Sequence, residues 1–198
     1  YGTINEDAER RDFTINALYY SLKDFKVYDF ANGFNDIHDH VIRLIGEPET
    51  RYREDPVRML RAVRFATKLN MEISPETRNP ISELAPLMAN IPAARLFEEF
   101  NKLFVSGKAV ANFTMLREFD LFKYFFPRLD QLLNSQLAEN NHLAEQFILL
   151  AMKNTDRRIA NNNRVTPAFL LAALLWHPLQ QQLEQIKIEA NLSPQDAF

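Results

Sequence analysis

The sequence contains no cysteine and only four glycine residues, against sixteen phenylalanines. Without cysteine, neither a disulfide framework nor a thiolate metal site can form, and this fits the reducing cytoplasm, which is the compartment we expect. The scarcity of glycine argues against a fold rich in β-structure or loops. The phenylalanines supply ample material for an aromatic core.

Long hydrophobic runs are also absent. The longest apolar stretch, residues 168–176 (AFLLAALLW), is far shorter than the roughly 20 residues that a membrane-spanning helix needs. The first residues, YGTINEDAERRD, are polar and do not resemble a signal peptide. The sequence therefore predicts no membrane span.

Basic charge is not in excess, because the formal net charge is −3 over 198 residues. A chain of this length forms one large or two small domains. Since the chain as a whole does not attract polyanions, any binding of nucleic acid must come from local patches or from parts of the protein outside these residues.

Helix and strand signals alternate up to about residue 47. Apolar spacing predicts a helix over Asp12–Leu22, with Asp12 as its N-cap. Alternation predicts strands over Lys26–Phe30 and Val41–Ile45, separated by a turn at Asn32-Gly33 and a short polar helix or turn over Asn35–His40. These residues are therefore predicted to form a small α/β piece.

Helical signals dominate from Asp55 onward. Asp55 is placed to cap a helix that starts with Pro56, Ser74 and Pro92 mark further starts, and Gly107 can end the Pro92 helix. Other helices are predicted over Ala109–Phe119, Leu121–Phe126, Leu137–Met152 and Pro167–Trp176, and a last one opening in residues 193–198 (SPQDAF). The predicted fold class is mainly α, with the small α/β piece followed by an all-helical region.

A first group of residues with possible chemistry comprises Arg10, Arg11, Asp12 and Asn16. Two arginines at a helix start suit a phosphate chain, and the carboxylate could hold a cation or orient a metal-bound group. On spacing alone, a plain helix cap with solvated arginines among acidic neighbours is favoured.

A second group comprises Glu54, Asp55, Arg58, Arg61 and Arg64. Arginines three residues apart on a packed helix form a rigid set of planar donors, which can read a base edge and grip phosphate oxygens. A carboxylate beside them can accept from an exocyclic amine. Taken alone, the group is more simply a capped helix with salt bridges on a solvated face.

The remaining polar groups give no site. Arg95, Glu98 and Glu99 have the spacing of ion pairs on a helix surface, and we assign them a structural role. The four histidines offer no ligand set of the usual zinc kinds. The phenylalanines of residues 97–126 are predicted to be core rather than a stacking platform.

The two arginine groups lie inside longer motifs, RRDFTINAL (residues 10–18) and EDPVRMLRAVRF (residues 54–65). In this order the motifs resemble the class II nucleotidyltransferase family, which includes the bacterial poly(A) polymerases and the CCA-adding tRNA enzymes. The resemblance covers nearly the whole chain. VIRLIGEPETRYREDP, IPAARLFEE and NTDRRIANNNRVTPAFLLAALLWHP are similar to the poly(A) polymerase branch.

That resemblance implies an enzyme that adds AMP from ATP to RNA 3′ ends, with Mg²⁺ and without a template, in RNA processing and decay. It implies that Asp12 is a catalytic carboxylate and that Asp55 and Arg58 read the incoming base. The nucleotide-binding residues that it implies are Arg11, Asn16, Asp55, Arg58, Arg61 and Arg64.

The sequence departs from the family pattern at one point. The family's head begins with a GGxVRD stretch and a DxD metal-binding pair, and neither occurs here. We therefore expect an internal fragment: the end of the nucleotidyltransferase head (residues 1–47), a helical neck that recognises nucleotide and RNA (48–105), and a helical body that is incomplete at its C-terminus (106–198). On this expectation most Mg²⁺ ligands lie in the missing segment, Asp12 is the one candidate ligand here, and the fragment alone is inactive.

Three alternatives stay open at this point. A CCA-adding tRNA nucleotidyltransferase shares both motifs but must also accept CTP. A non-catalytic helical RNA-binding module would use only the helical part. In the simplest alternative, the arginines are all salt-bridged and the chain is a helical domain without a site.

Overall fold

The computed structural model describes residues 2–135 and 138–190. The chain divides into two compact units, Tyr1–Leu96 with Glu118–Leu121 and Phe97–Arg117 with Phe122–Phe198. Helices make up most of both units in the described part, which confirms the predicted fold class. The finer division into residues 1–47, 48–105 and 106–198 stays a prediction. Among the described residues, no helix is both long and apolar enough to cross a membrane.

The first unit combines short helices with short strands. Its elements are α1 (Ile4–Arg10), β1 (Leu18–Tyr20), β2 (Val27–Asp29), α2 (Gly33–His38), β3 (Val41–Ile42), α3 (Pro48–Glu54), α4 (Val57–Leu69), β4 (Glu72–Ile73), α5 (Pro75–Arg78) and α6 (Ile81–Leu84), with 3-10 turns at Thr14–Asn16 and Ala85–Asn90. Strands β1 and β2 pair antiparallel, and β3 and β4 pair parallel.

Helix α4 is the centre of the first unit's core. Its apolar stripe is fully buried at Met59, Leu60 and Val63. The ring of Phe13, also fully buried, packs edge-on against Phe65 with centroids 5.5 Å apart. The predicted start of this helix is one residue too early, because Pro56 takes the N-cap position and Val57 is the first helical residue. The Asp55 carboxylate accepts from the Val57 amide at 3.2 Å.

The predicted helix over Asp12–Leu22 is wrong. Only a 3-10 turn forms there, and Leu18–Tyr20 is strand β1. Phe13 forms a bridge with Leu44, and the Asp12 carbonyl accepts from the Ile45 amide at 2.9 Å, so this backbone pairs with a neighbouring segment rather than with itself. Apolar spacing alone does not distinguish the two outcomes in so short a run.

The second unit is helical. It contains most of α7 (Ala93–Phe104) and α8 (Ala109–Glu118), a 3-10 turn at Phe122–Tyr124, and α9 (Pro127–Asn134), α10 (Ala138–Ala160) and α11 (Pro167–Ala190). Phenylalanines fill its core as predicted: Phe113 meets Phe122 edge-on at 4.9 Å, and Phe100 lies 5.0 Å from Phe104. Phe97, which we also expected in the core, is half exposed.

Helix ends depart from the predictions where proline was used as a terminator. Pro127 begins α9 instead of only ending a short helix, and α11 continues past Trp176 through Pro178. Helix α3 was not predicted; it begins at Pro48 with the Glu47 carboxylate capping the Thr50 amide at 2.7 Å. Leu137 and residues 193–198, where helix signals were also predicted, lie outside the described residues.

Candidate functional site

The carboxylate of Asp12 lies between two guanidinium groups of α4. Arg58 Nε donates to Asp12 Oδ1 at 2.8 Å, and Arg61 Nη1 donates to Asp12 Oδ2 at 2.5 Å. Because Arg58 and Arg61 are one helical turn apart, a single carboxylate can reach both. The exposed fractions of the Asp12, Arg58 and Arg61 side chains are only 18%, 12% and 29%.

Burial and the arginines act on Asp12 in opposite directions. Burial by itself raises the pKa of the carboxyl group, because an ion loses solvation. The hydrogen bonds and charges of Arg58 and Arg61 lower it by more, so the pKa of Asp12 lies below its ordinary value. Asp12 is therefore an anion at neutral pH.

A second layer of contacts fixes Arg58. Its Nη1 donates to the Arg51 carbonyl at 2.7 Å and to Glu54 Oε2 at 3.0 Å. Arg51 in turn donates from Nη2 to the carbonyls of Arg10 and Arg11, at 3.3 and 3.0 Å. The end of α3, the start of α4 and the end of α1 are thus tied together around Asp12, and they hold the arginines in one orientation.

These contacts surround a polar cavity of about 580 Å³. The residues that line it are Arg10, Arg11, Asp12, Asn16, Arg58 and Arg61. The lining carries four guanidinium groups and one carboxylate, and positive charge stays in excess even when Glu54 and Asp7, which pair with Arg58 and Arg11, are counted. A nucleoside triphosphate is the kind of ligand that such a cavity suits. A larger cavity of about 970 Å³ in the second unit has Leu132, Leu143 and Trp176 in its wall and no arginine, so it does not suit a phosphate chain.

Two of the predicted nucleotide-binding residues do not line this cavity. The Asp55 carboxylate accepts from Arg95 Nη2 at 2.6 Å as well as from the Val57 amide. Arg64 lies over the Phe65 ring, 4.4 Å from its centroid, and its buried Nε has no hydrogen-bond partner among the described residues. The predicted roles of Asp55 and Arg64 stay predictions.

The partners that we expected for Arg95 are wrong, although its role in the structure is still that of an ion pair. Arg95 binds Asp55 across a sequence gap of forty residues, and Glu99 pairs with Lys102 at 2.7 Å. The spacing with Glu98 and Glu99 gave no sign of this, because the partner lies on another element. Arg95 therefore contacts the start of the motif EDPVRMLRAVRF (residues 54–65) through Asp55.

Two further residues beside the cavity were missed by the sequence reasoning. Asp7 Oδ2 accepts from the Tyr19 hydroxyl at 2.7 Å and from Arg11 Nη2 at 2.9 Å. The Tyr19 hydrogen bond first, and then Arg11, hold the pKa of Asp7 below its ordinary value. Asp7 and Tyr19 thus orient Arg11, and only the i,i+4 spacing of Asp7 and Arg11 gave a signal in the sequence.

The residues described here do not fit a magnesium site by themselves. Mg²⁺ prefers oxygen ligands in octahedral geometry, and both oxygens of Asp12 are already bound to arginine. In the described part of the chain there is no cluster of three or more acidic or histidine side chains that could hold a metal ion. We therefore assign no chemical step to a metal ion held by these residues.

Two family models match the chain. One, described as the poly A polymerase head domain, matches residues 1–43. The other, described as the probable RNA and SrmB-binding site of polymerase A, matches residues 70–133. The motif at residues 10–18 therefore lies inside the head-domain match, and the motif at residues 54–65 lies between the two matched segments.

Curated relatives extend the similarity to the whole chain. Poly(A) polymerase I of Salmonella typhi is 54% identical over 199 aligned residues, which cover 100% of this chain and 42% of the relative. Poly(A) polymerase I of Haemophilus influenzae is 46% identical and covers 100% and 43%. A CCA-adding enzyme of Limosilactobacillus fermentum is also 46% identical, but over only 56% of this chain and 27% of that enzyme. The chain thus spans less than half the length of its poly(A) polymerase relatives.

A solved structure shares the fold. The Bacillus stearothermophilus CCA-adding enzyme in complex with CTP aligns with a TM-score of 0.63 and 30% identity, covering 88% of this chain and 43% of that one. A tRNA-processing enzyme in an apo form aligns with a TM-score of 0.66 at 22% identity, covering 97% and 51%, which shows the fold alone. The chain belongs to the class II nucleotidyltransferase family, in the branch of the bacterial poly(A) polymerases.

Proposed function

We propose that the protein that contains this chain transfers AMP from ATP to the 3′ end of RNA, and that the cavity around Asp12 binds the ATP. The observation that carries the proposal is the cationic lining of that cavity, with four arginines from two segments, two of which are held by the Asp12 carboxylate. In the reaction the RNA 3′ oxygen forms a bond to the α-phosphorus, the bond to pyrophosphate breaks, and the hydroxyl proton is released. Its expected compartment remains the cytoplasm.

The arginines act on the triphosphate. Arg58 and Arg61 are fixed by Asp12, so they bind phosphate oxygens without first losing the entropy of two long side chains. Arg10 and Arg11, at the end of α1, also line the cavity and add positive charge. Asn16 supplies an uncharged amide, which suits a sugar hydroxyl.

In these contacts Asp12 is a positioning residue for the two arginines. The resemblance also implies that Asp12 is catalytic, and we keep that role as a prediction.

Base selection is assigned to Asp55 and Arg58, at the start of α4. The amide of Val57 and the guanidinium of Arg95 hold Asp55, and the contacts described above hold Arg58. A carboxylate fixed in this way can accept from the exocyclic amine of adenine, while a guanidinium donates to a ring nitrogen. Arg64 contacts the nucleotide in this proposal only if its unpaired Nε turns from the protein interior toward the ligand.

Template-independent incorporation tests the proposal. The gene product that contains this chain is incubated with labelled ATP, Mg²⁺ and a single-stranded RNA primer. We expect AMP addition, and we expect Arg58→Ala to reduce kcat/KM for ATP about thirtyfold to 150-fold, because about 2 to 3 kcal/mol of transition-state binding is lost. Arg53→Ala is the matched control, since Arg53 is an exposed arginine of α3 that does not line the cavity.

A second substitution separates a lost contact from a damaged fold. Asn16→Ala leaves the Asp12 ion pairs in place and should raise the KM for ATP several-fold. If neither Arg58→Ala nor Asn16→Ala affects ATP incorporation, the cavity is not the nucleotide site.

The choice of nucleotide distinguishes poly(A) addition from the alternative, CCA addition to tRNA. A CCA-adding activity is favoured by one observation, the structural match to an enzyme of that kind at 30% identity. Incorporation of CMP from CTP onto a tRNA that lacks its 3′ end, at a rate comparable with AMP addition, would establish that activity instead.

A further inference from the structure

A cluster of exposed cations lies at the end of α10, in the second unit. We call this set the α10 basic patch; its members are Lys108, Lys153, Arg157, Arg158 and Arg164. All five side chains are exposed. Within the described ranges, no carboxylate forms an ion pair with any of them. Because the chain carries a net charge of −3, this concentration of positive charge is a local exception.

The contacts around the patch bring its members together. Arg158 donates from Nε and Nη2 to the Arg164 carbonyl at 3.3 and 3.0 Å, which folds the loop back onto the helix. The amides of Asn161 and Asn163 donate to the carbonyls of Arg157 and Arg158, at 3.1 and 2.8 Å. Lys153 is one turn before Arg157 on the same side of α10.

The acidic residue of the segment is occupied elsewhere. Asp156 accepts from the amides of Ala109 and Val110 at 2.8 and 3.2 Å, so its charge caps α8. The same contact places Lys108 next to the end of α10, where a Cβ on Gly107 would come within 3.1 Å of the Ile159 Cγ2. The patch is thus held by two helices and a loop, and its one carboxylate faces inward.

A structural role explains only part of this arrangement. Cations at a helix C-terminus interact favourably with the helix dipole, which accounts for Arg157 and Arg158. The helix dipole does not account for Lys108, which directly precedes α8, or for Lys153, which lies two turns before the end of α10. It also does not account for Arg164, which lies in the loop after α10. Three exposed asparagine side chains, Asn161, Asn162 and Asn163, lie between these cations and add amide donors and acceptors.

We propose that the α10 basic patch binds the phosphate chain of single-stranded RNA, as a second contact separate from the nucleotide cavity. Arginines suit phosphate because they donate bidentately, and asparagine amides suit the sugar and base edges. The patch extends an RNA-binding region: the family model for that region ends at residue 133, and only Lys108 of the patch lies inside it. This inference rests on the proposed action on RNA.

RNA affinity, measured without any catalytic readout, tests the patch. A fluorescein-labelled 20-nucleotide oligo(A) is titrated with the 198-residue chain by fluorescence anisotropy at several salt concentrations. The variant Arg157→Gln/Arg158→Gln/Arg164→Gln removes three charges. We expect its affinity at moderate salt to fall at least about tenfold, and the slope of log K against log [salt] to become shallower by about 2, since each lost phosphate contact on a single strand removes about 0.7.

Two matched variants control for charge and for fold. Lys23→Gln/Arg53→Gln/Lys68→Gln removes three exposed cations of the first unit and should leave both the affinity and the slope close to those of the unsubstituted chain. Arg157→Lys/Arg158→Lys/Arg164→Lys keeps the charge and should retain the slope.

Three outcomes would overturn the patch. The first is that the unsubstituted chain does not bind oligo(A) at low salt. The second is that the patch variant and the control variant lose equal RNA affinity. The third is that polyglutamate displaces the labelled RNA as readily as unlabelled oligo(A) does. None of these outcomes concerns AMP transfer, so the proposed enzymatic function can fail or succeed independently of them.

Discussion

Arg58 Nε donates to Asp12 Oδ1 at 2.8 Å although the two residues are 46 positions apart in the sequence. The same carboxylate also accepts from Arg61. One anion therefore fixes two cations, and its removal takes one carboxylate contact from each of two partly buried guanidinium groups.

Asp12→Asn should destabilise the chain because of this imbalance. Removing one partner from a buried ion pair is costly, and for these partly buried groups we expect a loss of about 2 to 3 kcal/mol in the free energy of unfolding. Urea denaturation followed by circular dichroism measures it. Asp39→Asn is the control, because the Asp39 side chain is 65% exposed and its ion-pair partner is the exposed His38. Equal stability of Asp12→Asn and the unsubstituted chain would show that the ion pairs contribute nothing.

Acid should remove the contribution of Asp12 in a defined direction. Its pKa in the folded chain lies below the value of 3.8 that applies when it is unpaired. A carboxylate with a lowered folded pKa stabilises the protein above its unfolded pKa, and that stability is lost as the pH falls through the folded pKa. The difference in unfolding free energy between the unsubstituted chain and Asp12→Asn should thus be constant from pH 7 to about 5 and shrink below about 4. A difference that grows on acidification contradicts this assignment.

Gly33→Ala should disturb the contact between α2 and the turn after Phe13. A Cβ at Gly33 would lie 2.4 Å from the Thr14 carbonyl oxygen, a backbone atom that cannot move aside by changing a rotamer. We expect a loss of about 2 kcal/mol. Gly46→Ala is a milder substitution for comparison. Gly46 has a φ of +87°, which strains an alanine, but a Cβ there would meet side-chain atoms of Arg51 at 3.5 Å, an ordinary contact distance. Its cost should be nearer 1 kcal/mol, and the reverse order of melting temperatures would be inconsistent with these contacts.

Arg95→Ala tests whether Asp55 must be held in place to choose a base. Arg95 lies outside the cavity lining, so the KM for ATP should change little, while Asp55 loses one of its two partners. We expect the preference for AMP over CMP to fall about fivefold to tenfold, equivalent to about 1 kcal/mol for a charge-assisted hydrogen bond. Competitive incorporation by the full gene product measures this preference. Arg78→Ala is the control, because Arg78 pairs with exposed Glu118; an equal loss there would point to a general effect of removing a surface arginine.

The sequence predicts local structure well where the structure depends on residues within about one helical turn of each other, as in helix caps and apolar stripes. Ser74 caps α5 through the Thr77 amide, as its position before proline indicated. The apolar residues at helical spacing on α4 are buried at Met59, Ala62, Val63 and Ala66, whereas Leu69 at the end of the same stripe is exposed. The helix expected over Asp12–Leu22 failed because the preference of so short a segment is decided by the strand or bridge beside it. The long-range pairs of Asp12 with α4 and of Arg95 with Asp55 could not be derived from spacing. The resemblance implied that residues of both motifs bind one nucleotide, and therefore that they lie close together, but it did not indicate the direct ion pairs of Asp12 with Arg58 and Arg61.

The contacts of Asp12 with α4 also determine at which stage of folding the cavity can form. Helix α4 carries most of the second motif, yet a peptide with that sequence would have an arginine stripe and no cavity wall, because the wall comes from a segment more than forty residues earlier. Closing that loop costs chain entropy before any contact compensates for it. If the proposed function holds, ATP binding should therefore appear late in folding and in one step, and a partly folded chain with α4 intact should bind ATP no better than a free arginine-rich helix.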